Sequence, residues 1–316
     1  MPRPSAQRKN ARNAATASNK AKTAGRPMEL QTKLRNGYWV LIPFGKLMDP
    51  AAMRAISKRG ACQTVLRIFE DKGRYIFQGS KETAKRINGV SGDFRRLNGS
   101  TDDLRAGGEN LLADAFDSVQ DAVVQTTNKL GLSQGLVVRK EQNLVLVTKK
   151  GACTQPPHFD SDPALVKNFV TTSKLKKKNA ADPHCALPLS ALIGLGQSAT
   201  LLMGRYNADD EREIFDEDKE KRRKVSEVEL ERVQVPAWHM LLFRQDKVHA
   251  GDTTNEAVHV RAHMYFDSPA VVYQPSTTLI VANEIVAKYY RVPSTQIMTP
   301  YPCNQFGCEC RTSANN

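Results

Sequence analysis

Apolar and polar positions alternate without a break from Val258 to Phe266. Val258, Val260, Ala262, Met264 and Phe266 fall on one face, and His259, Arg261, His263 and Tyr265 on the other. A period of two is the mark of a β-strand with unlike faces. The apolar face packs against other elements, while the polar one suits a barrel interior lined for a ligand. Shorter apolar runs cover Leu136–Val138, Leu144–Val147, Leu187–Leu195, Ala199–Met203, Val233–Val235 and His239–Phe243, and Ala270–Tyr273 closes the set. Many short strands with turns between them predict a barrel or a double-sheet jelly roll.

The first third of the chain reads differently. Gly37–Phe44 predicts a strand. Asp49-Pro50 then opens a helix to about Lys58, with Asp as N-cap and Pro in the first turn. Thr64–Phe69 and Tyr75–Phe77 flank Asp71-Lys72-Gly73 and predict a hairpin. Ser80–Ile87 reads as a short helix, and residues 89–108 as turns. From about Glu109 to Leu130 a long helix is expected, because Leu112, Ala115, Phe116, Val119, Ala122 and Val123 recur at steps of three and four.

Candidate chemistry lies in Gln155-Pro156-Pro157-His158-Phe159-Asp160. On a strand, residues i and i+2 share a face, so His158 and Asp160 can offer an imidazole nitrogen and a carboxylate oxygen to one ion. A second imidazole, from His249 in Lys247-Val248-His249-Ala250-Gly251-Asp252, completes a 2-His-1-carboxylate set. Such a set suits non-haem iron(II) and leaves positions open for small ligands. Arg261, mid-strand on the polar face, is a fixed cation able to grip a carboxylate with two prongs.

His-x-Asp, a distant His and then an Arg resembles the signature of the iron(II)/2-oxoglutarate-dependent dioxygenases. The resemblance runs from about residue 36 to 275 and is strongest over 155–266. The opening strand ending in Pro43 and followed by a helix is similar to the entry of their catalytic domain. It implies a mostly β chain with supporting helices: a double-stranded β-helix, jelly-roll or cupin-like, behind an N-terminal α/β support region. It further implies iron(II) held by His158, Asp160 and His249, 2-oxoglutarate as co-substrate, and O2. Arg261 would pair with the far carboxylate of 2-oxoglutarate. Where the family often has Arg-x-Ser this chain has Arg261-Ala262-His263, and His263 would donate to that same carboxylate. The implied activity is hydroxylation or demethylation with release of succinate and CO2. The substrate stays open among protein, nucleic acid and small molecule. The alternatives are a jelly roll that binds ligand without turnover and a nucleic-acid-binding protein that acts through its basic N-terminal tail.

The implied organisation is a basic tail over 1–27, a support region over 28–135, a jelly-roll catalytic core over 136–290 and a cysteine-containing tail over 291–316. The chain has 316 residues, 40% of them hydrophobic, enough for a substantial core. Its formal charge is +13. Arg3, Arg8, Lys9, Arg12, Lys20, Lys22 and Arg26, with no acid, make residues 1–27 a candidate contact for nucleic acid or another anionic surface. The same segment could instead be a solubilising tail or an organelle address. No apolar run approaches the ~18 residues of a membrane span. With no apolar leader either, the expected compartment is cytoplasm or nucleus, and cysteines 62, 153, 185, 303, 308 and 310 read as thiols or ligands rather than disulfides. Cys303, Cys308 and Cys310 form either part of a zinc knuckle or an unligated tail. The lysine run 173–179 and the mixed-charge stretch 207–224 are expected on the surface.

Overall fold

The computed structural model describes residues 28–72, 96–133, 135–139, 144–152, 154–155, 157–161, 166, 187–204 and 228–268, with short strands at 279–280 and 290–291. The hairpin arm Tyr75–Phe77, the helix at Ser80–Ile87, the run Ala270–Tyr273, both charged stretches and all cysteines except Cys62 lie outside those residues, as do both tails.

Thirteen strands are described. They are β1 (Val40–Pro43), β2 (Arg96–Gly99), β3 (Val137–Val138), β4 (Leu144–Lys149), β5 (His158–Phe159), β6 (Leu189–Gly194), β7 (Ala199–Gly204), β8 (Val228–Val235), β9 (His239–Arg244), β10 (His249–Gly251), β11 (Val258–Asp267), β12 (Leu279–Ile280) and β13 (Tyr290–Arg291). The helices are α1 (28–35), α2 (Pro50–Ser57), α3 (Ala61–Asp71), α4 (Thr101–Ala106) and α5 (Asn110–Lys129).

One sheet runs β1-β9-β6-β11-β4-β2, with β3 also on β11, and the other runs β12-β5-β10-β7-β8-β13. All pairings are antiparallel except β13 with β8. Within these sheets, β4 to β11 form two facing quartets, β9-β6-β11-β4 and β5-β10-β7-β8. The chain crosses between the quartets at nearly every connection. The fold is a double-stranded β-helix.

The alternation along each strand divides the core in two. Ala191, Ile193, Met240, Leu242, Val260, Ala262 and Met264 face out of the barrel and pack with Ile56, Phe69, Phe116 and Val119 of the helices. Leu192, Leu241 and Phe243 face in and meet Leu201, Met203 and Val233 of the smaller sheet. Each of the larger side chains among these contributes about 1.5–3 kcal/mol when fully buried. The long helix and α2 form where expected, and the Asp49 carboxylate caps the Ala51 amide at 3.1 Å.

Thr64–Phe69 is not a hairpin strand. It belongs to α3, whose buried residues Val65, Ile68 and Phe69 have helical spacing. Its β-branched and aromatic content masked that period. Part of the stretch read as turns is ordered too. It holds β2, and α4 opens with a capping box between Ser100 and Asp103.

Candidate metal centre

His158 sits on the two-residue strand β5, and its rung is paired directly with His249 on β10. The two rings approach to 4.3 Å between centroids. Asp160 follows at the end of β5, where its amide donates to the Gln245 carbonyl at 3.0 Å. One ligand atom from each of His158, Asp160 and His249 lies within 4.8 Å of the other two, and all three residues are buried. Residues remote in sequence thus share one buried corner because β5 and β10 are neighbours.

Hydrogen bonds set the orientation of these groups. His249 Nδ1 lies 3.0 Å from the Lys247 carbonyl. Donation there places the proton on Nδ1 and leaves the Nε2 lone pair for a metal. Nε2 is 3.5 Å from Asp160 Oδ1. The other carboxylate oxygen, Oδ2, accepts from the Ser190 hydroxyl at 2.6 Å. Tyr265 makes a longer contact, its hydroxyl reaching Oδ1 at 3.5 Å. Burial alone would raise the Asp160 carboxyl, but the imidazoles of His249 and His263 outweigh it and hold the group well below the usual carboxylate range. The site therefore holds an ionised ligand oxygen with two imidazoles, buried and pre-aligned. This donor set fits a divalent transition metal, iron(II) among them.

Arg261 and His263 lie on the inner face of β11, as the alternation predicted. Arg261 is fully enclosed, and its Nε has no hydrogen-bond partner among the described residues. Burial and the nearby Arg96 push its guanidinium down to about 9, with Asp252 opposing. A buried cation with an idle donor calls for an anion. Glycine at 251 lets Gln155 and this guanidinium pack directly against the β10 backbone. A Cβ there would lie 2.1 Å from Gln155 Oε1 and 2.8 Å from the Arg261 guanidinium. Gln155 Oε1 in turn accepts from the Gly251 amide at 2.9 Å, and the Gln155 backbone N–H donates to the Gly251 carbonyl at 2.8 Å. These features fit a carboxylate-bearing co-substrate beside the metal set.

His263 Nε2 points to the triad side, 3.5 Å from Asp160 Oδ2 and off hydrogen-bond geometry. His259 points elsewhere, with Nε2 3.0 Å from the Ser198 carbonyl. His239 is only half-buried and makes a local contact to the Ala237 carbonyl. His184 lies outside the described residues.

Several members of the site did not stand out in the chain. Ser190 had a signal, as the one polar side chain in the apolar run Leu187–Leu195. Tyr265 had one too, sharing the polar face of β11. Gln245 had none. Its side chain donates to the Leu189 carbonyl at 3.2 Å and to Asp267 at 3.1 Å, and its carbonyl holds the Asp160 and Ser161 amides, so its role exists only in the folded barrel. Arg96 comes from β2, which was read as a turn. Its guanidinium donates to the Asp252 carbonyl at 2.8 Å and so ties the end of β10 to the larger sheet.

No family model matches the chain, and no curated protein does. Solved structures do match. The non-heme alpha-ketoglutarate-dependent epimerase SnoN from nogalamycin biosynthesis aligns over 88% of this chain and 95% of its own, at 13% identity and a TM-score of 0.45. A prolyl hydroxylase from Trichoplax adhaerens, in complex with a hypoxia inducible factor peptide, aligns over 81% and 96% at 12% identity and a TM-score of 0.44. HygX from Streptomyces hygroscopicus, with nickel and 2-oxoglutarate bound, aligns over 76% and 87% at 11% identity and a TM-score of 0.41. At identities and TM-scores this low the likenesses decide nothing about chemistry here. The strand order and the side chains carry the reading.

Proposed function

We propose that this chain is an iron(II)- and 2-oxoglutarate-dependent dioxygenase that hydroxylates or demethylates a substrate at a C–H bond. The observation that carries this is one juxtaposition. A buried His-Asp-His set lies beside a buried arginine whose Nε has no partner among the described residues. A metal set alone would suit many barrels. A buried cation with an unused donor next to it suits a co-substrate that has a chelating end and a distal carboxylate.

His158, Asp160 and His249 would hold the iron. Bound iron(II) supplies the activation of O2, one oxygen atom going to the substrate carbon and the other to succinate as 2-oxoglutarate loses CO2. The chain's own part is positional. Ser190 fixes the Asp160 carboxylate, the Lys247 carbonyl fixes the tautomer of His249, and Arg261 would hold the distal carboxylate. Phe243, 4.9 Å from the His249 ring, keeps one side of the site apolar and limits water there. The basic segment 1–27 is part of the reading only as a contact for an anionic partner.

Iron titrated anaerobically into the protein should bind at one ion per chain, and His158→Ala or His249→Ala should abolish it. Added 2-oxoglutarate should then yield succinate once O2 is admitted. Equal iron in the wild type and both variants would remove the basis of the reading. Iron and 2-oxoglutarate bound tightly, with no succinate under any condition, would leave a ligand-binding jelly roll.

A further inference from the structure

The inner face of β11 carries two buried donors in succession. Arg261 is 3% exposed and His263 7%, and Arg261 Nε and His263 Nε2 are the buried side-chain atoms left without a hydrogen-bond partner among the described residues. Burying a polar group without a partner is costly, so two on one wall mark where a ligand supplies acceptors.

The two donors belong to different layers. His263 is at the level of the metal set: its Nε2 is 3.5 Å from Asp160 Oδ2, and its ring meets the His249 ring edge-on at 6.4 Å. Arg261 is one layer away, against Gly251 and Gln155. The opposite wall repeats this spacing, since Gly251 follows His249 by two residues on β10 just as His263 follows Arg261 on β11. Two residues of strand separate the layers by roughly 7 Å. A five-carbon dicarboxylate is long enough to have one end in each layer. The short, stiff His263 side chain already faces the metal layer and meets the Tyr265 ring at a tilt, 4.7 Å between centroids.

Resting on the function proposed above, we infer that His263 binds the 2-oxo-acid end of the co-substrate, donating its Nε2–H to the carboxylate there, while Arg261 alone serves the distal carboxylate. His263 is thus a co-substrate-positioning residue beside the metal, with a task separate from that of the arginine.

Two probes separate the layers. 2-Oxobutanoate keeps the 2-oxo-acid end of 2-oxoglutarate and lacks the distal carboxylate. Each is titrated anaerobically into the iron(II)-loaded full chain, with dissociation constants taken by calorimetry. Arg261→Leu should weaken 2-oxoglutarate by roughly thirty- to several-thousand-fold and leave 2-oxobutanoate unchanged. His263→Ala should weaken both probes by the same factor, roughly ten- to hundredfold for a charge-assisted hydrogen bond. His263→Gln, which can still donate, should recover part of the loss. His263→Phe fills the same space without a donor and carries the test if the alanine variant does not fold. A His263 variant that loses 2-oxoglutarate but not 2-oxobutanoate would assign the residue to the distal carboxylate and overturn the inference. Unchanged binding of both probes would overturn it as well, with the proposed function intact. Wild type that takes up iron but neither probe would bring down the function and the inference together.

Discussion

Arg261 and His259 sit two residues apart on one strand face, and burial acts on both in the same sense: it disfavours the charged form. For the arginine the answer proposed above is a ligand. For His259 it is neutrality, since burial and the facing Arg261 push the imidazole down to about 4 from 6.5, against the Ser198 carbonyl bond. The sign of the consequence is definite. Between about pH 6.5 and 4 the unfolded chain takes up a proton that the folded chain refuses, so stability falls with pH across that window and levels off below it. Between pH 7 and 5 this single group should remove roughly 2 kcal/mol of stability. Urea unfolding at the two pH values measures it, and His259→Gln should lose less stability on acidification than the wild type does. An identical drop in both would reassign the effect to other groups. His158, Asp160, His249 and Arg261 were legible as candidates because their chemistry is written in residue type and spacing. The direction of His263 was not, because a strand pattern gives the face of a side chain and not the atom it leans toward.

The same contrast appears among the elements. Strands with clean alternation, such as β11, and helices with a long stripe, such as α5, follow from their periods. The third helix does not, because a short segment rich in Thr, Val, Ile and Phe satisfies either pattern. Packing decides it. Phe69 of that helix is fully buried, and its ring fills the space over Gly99 of β2, where a Cβ would lie 2.4 Å from two ring carbons. Gly99→Ala must therefore push the helix off the sheet or tilt the strand, and overpacking of this kind costs about 1–3 kcal/mol. A matching drop in the urea midpoint, with one iron still bound per chain, is the expected result. An unchanged midpoint would mean that the helix yields at no cost. The strand β2 itself was invisible for a related reason. Its four residues gain strand geometry from pairing with β4, a partner far along the chain.

At the scale of the whole molecule, the region before residue 136 does more than buttress the barrel. It extends the larger sheet at both edges, with β1 on β9 and β2 on β4, and Arg96 reaches through to the Asp252 carbonyl at the end of β10. No helix among the described residues is long and apolar enough to cross a membrane. The quartet arrangement could be expected only through resemblance. Periodicity yields strands, but their order is set by which edges meet across long stretches of chain.

The brevity of β5 has a consequence of its own. Two residues, with a single rung to β10 and two to the equally short β12, hold the strand that carries His158, and the amides of Asp160 and Ser161 are bonded to the Gln245 carbonyl at 3.0 and 3.1 Å. So few bonds can open without unfolding the β6 and β11 sheet beside them, and such openings set the rate at which amide protons trade with solvent. An ion bridging His158, Asp160 and His249 would have to leave before β5 could lift away. The metal would then act as a clasp, and at a hundredfold excess over its dissociation constant it would hold the strand shut by about 2.7 kcal/mol. Exchange at the Asp160 and Ser161 amides should slow by about a hundredfold on loading, while Ile193 in the middle of β6 shows a smaller change. Equal slowing at all three positions would mean that β5 opens only when the whole barrel does.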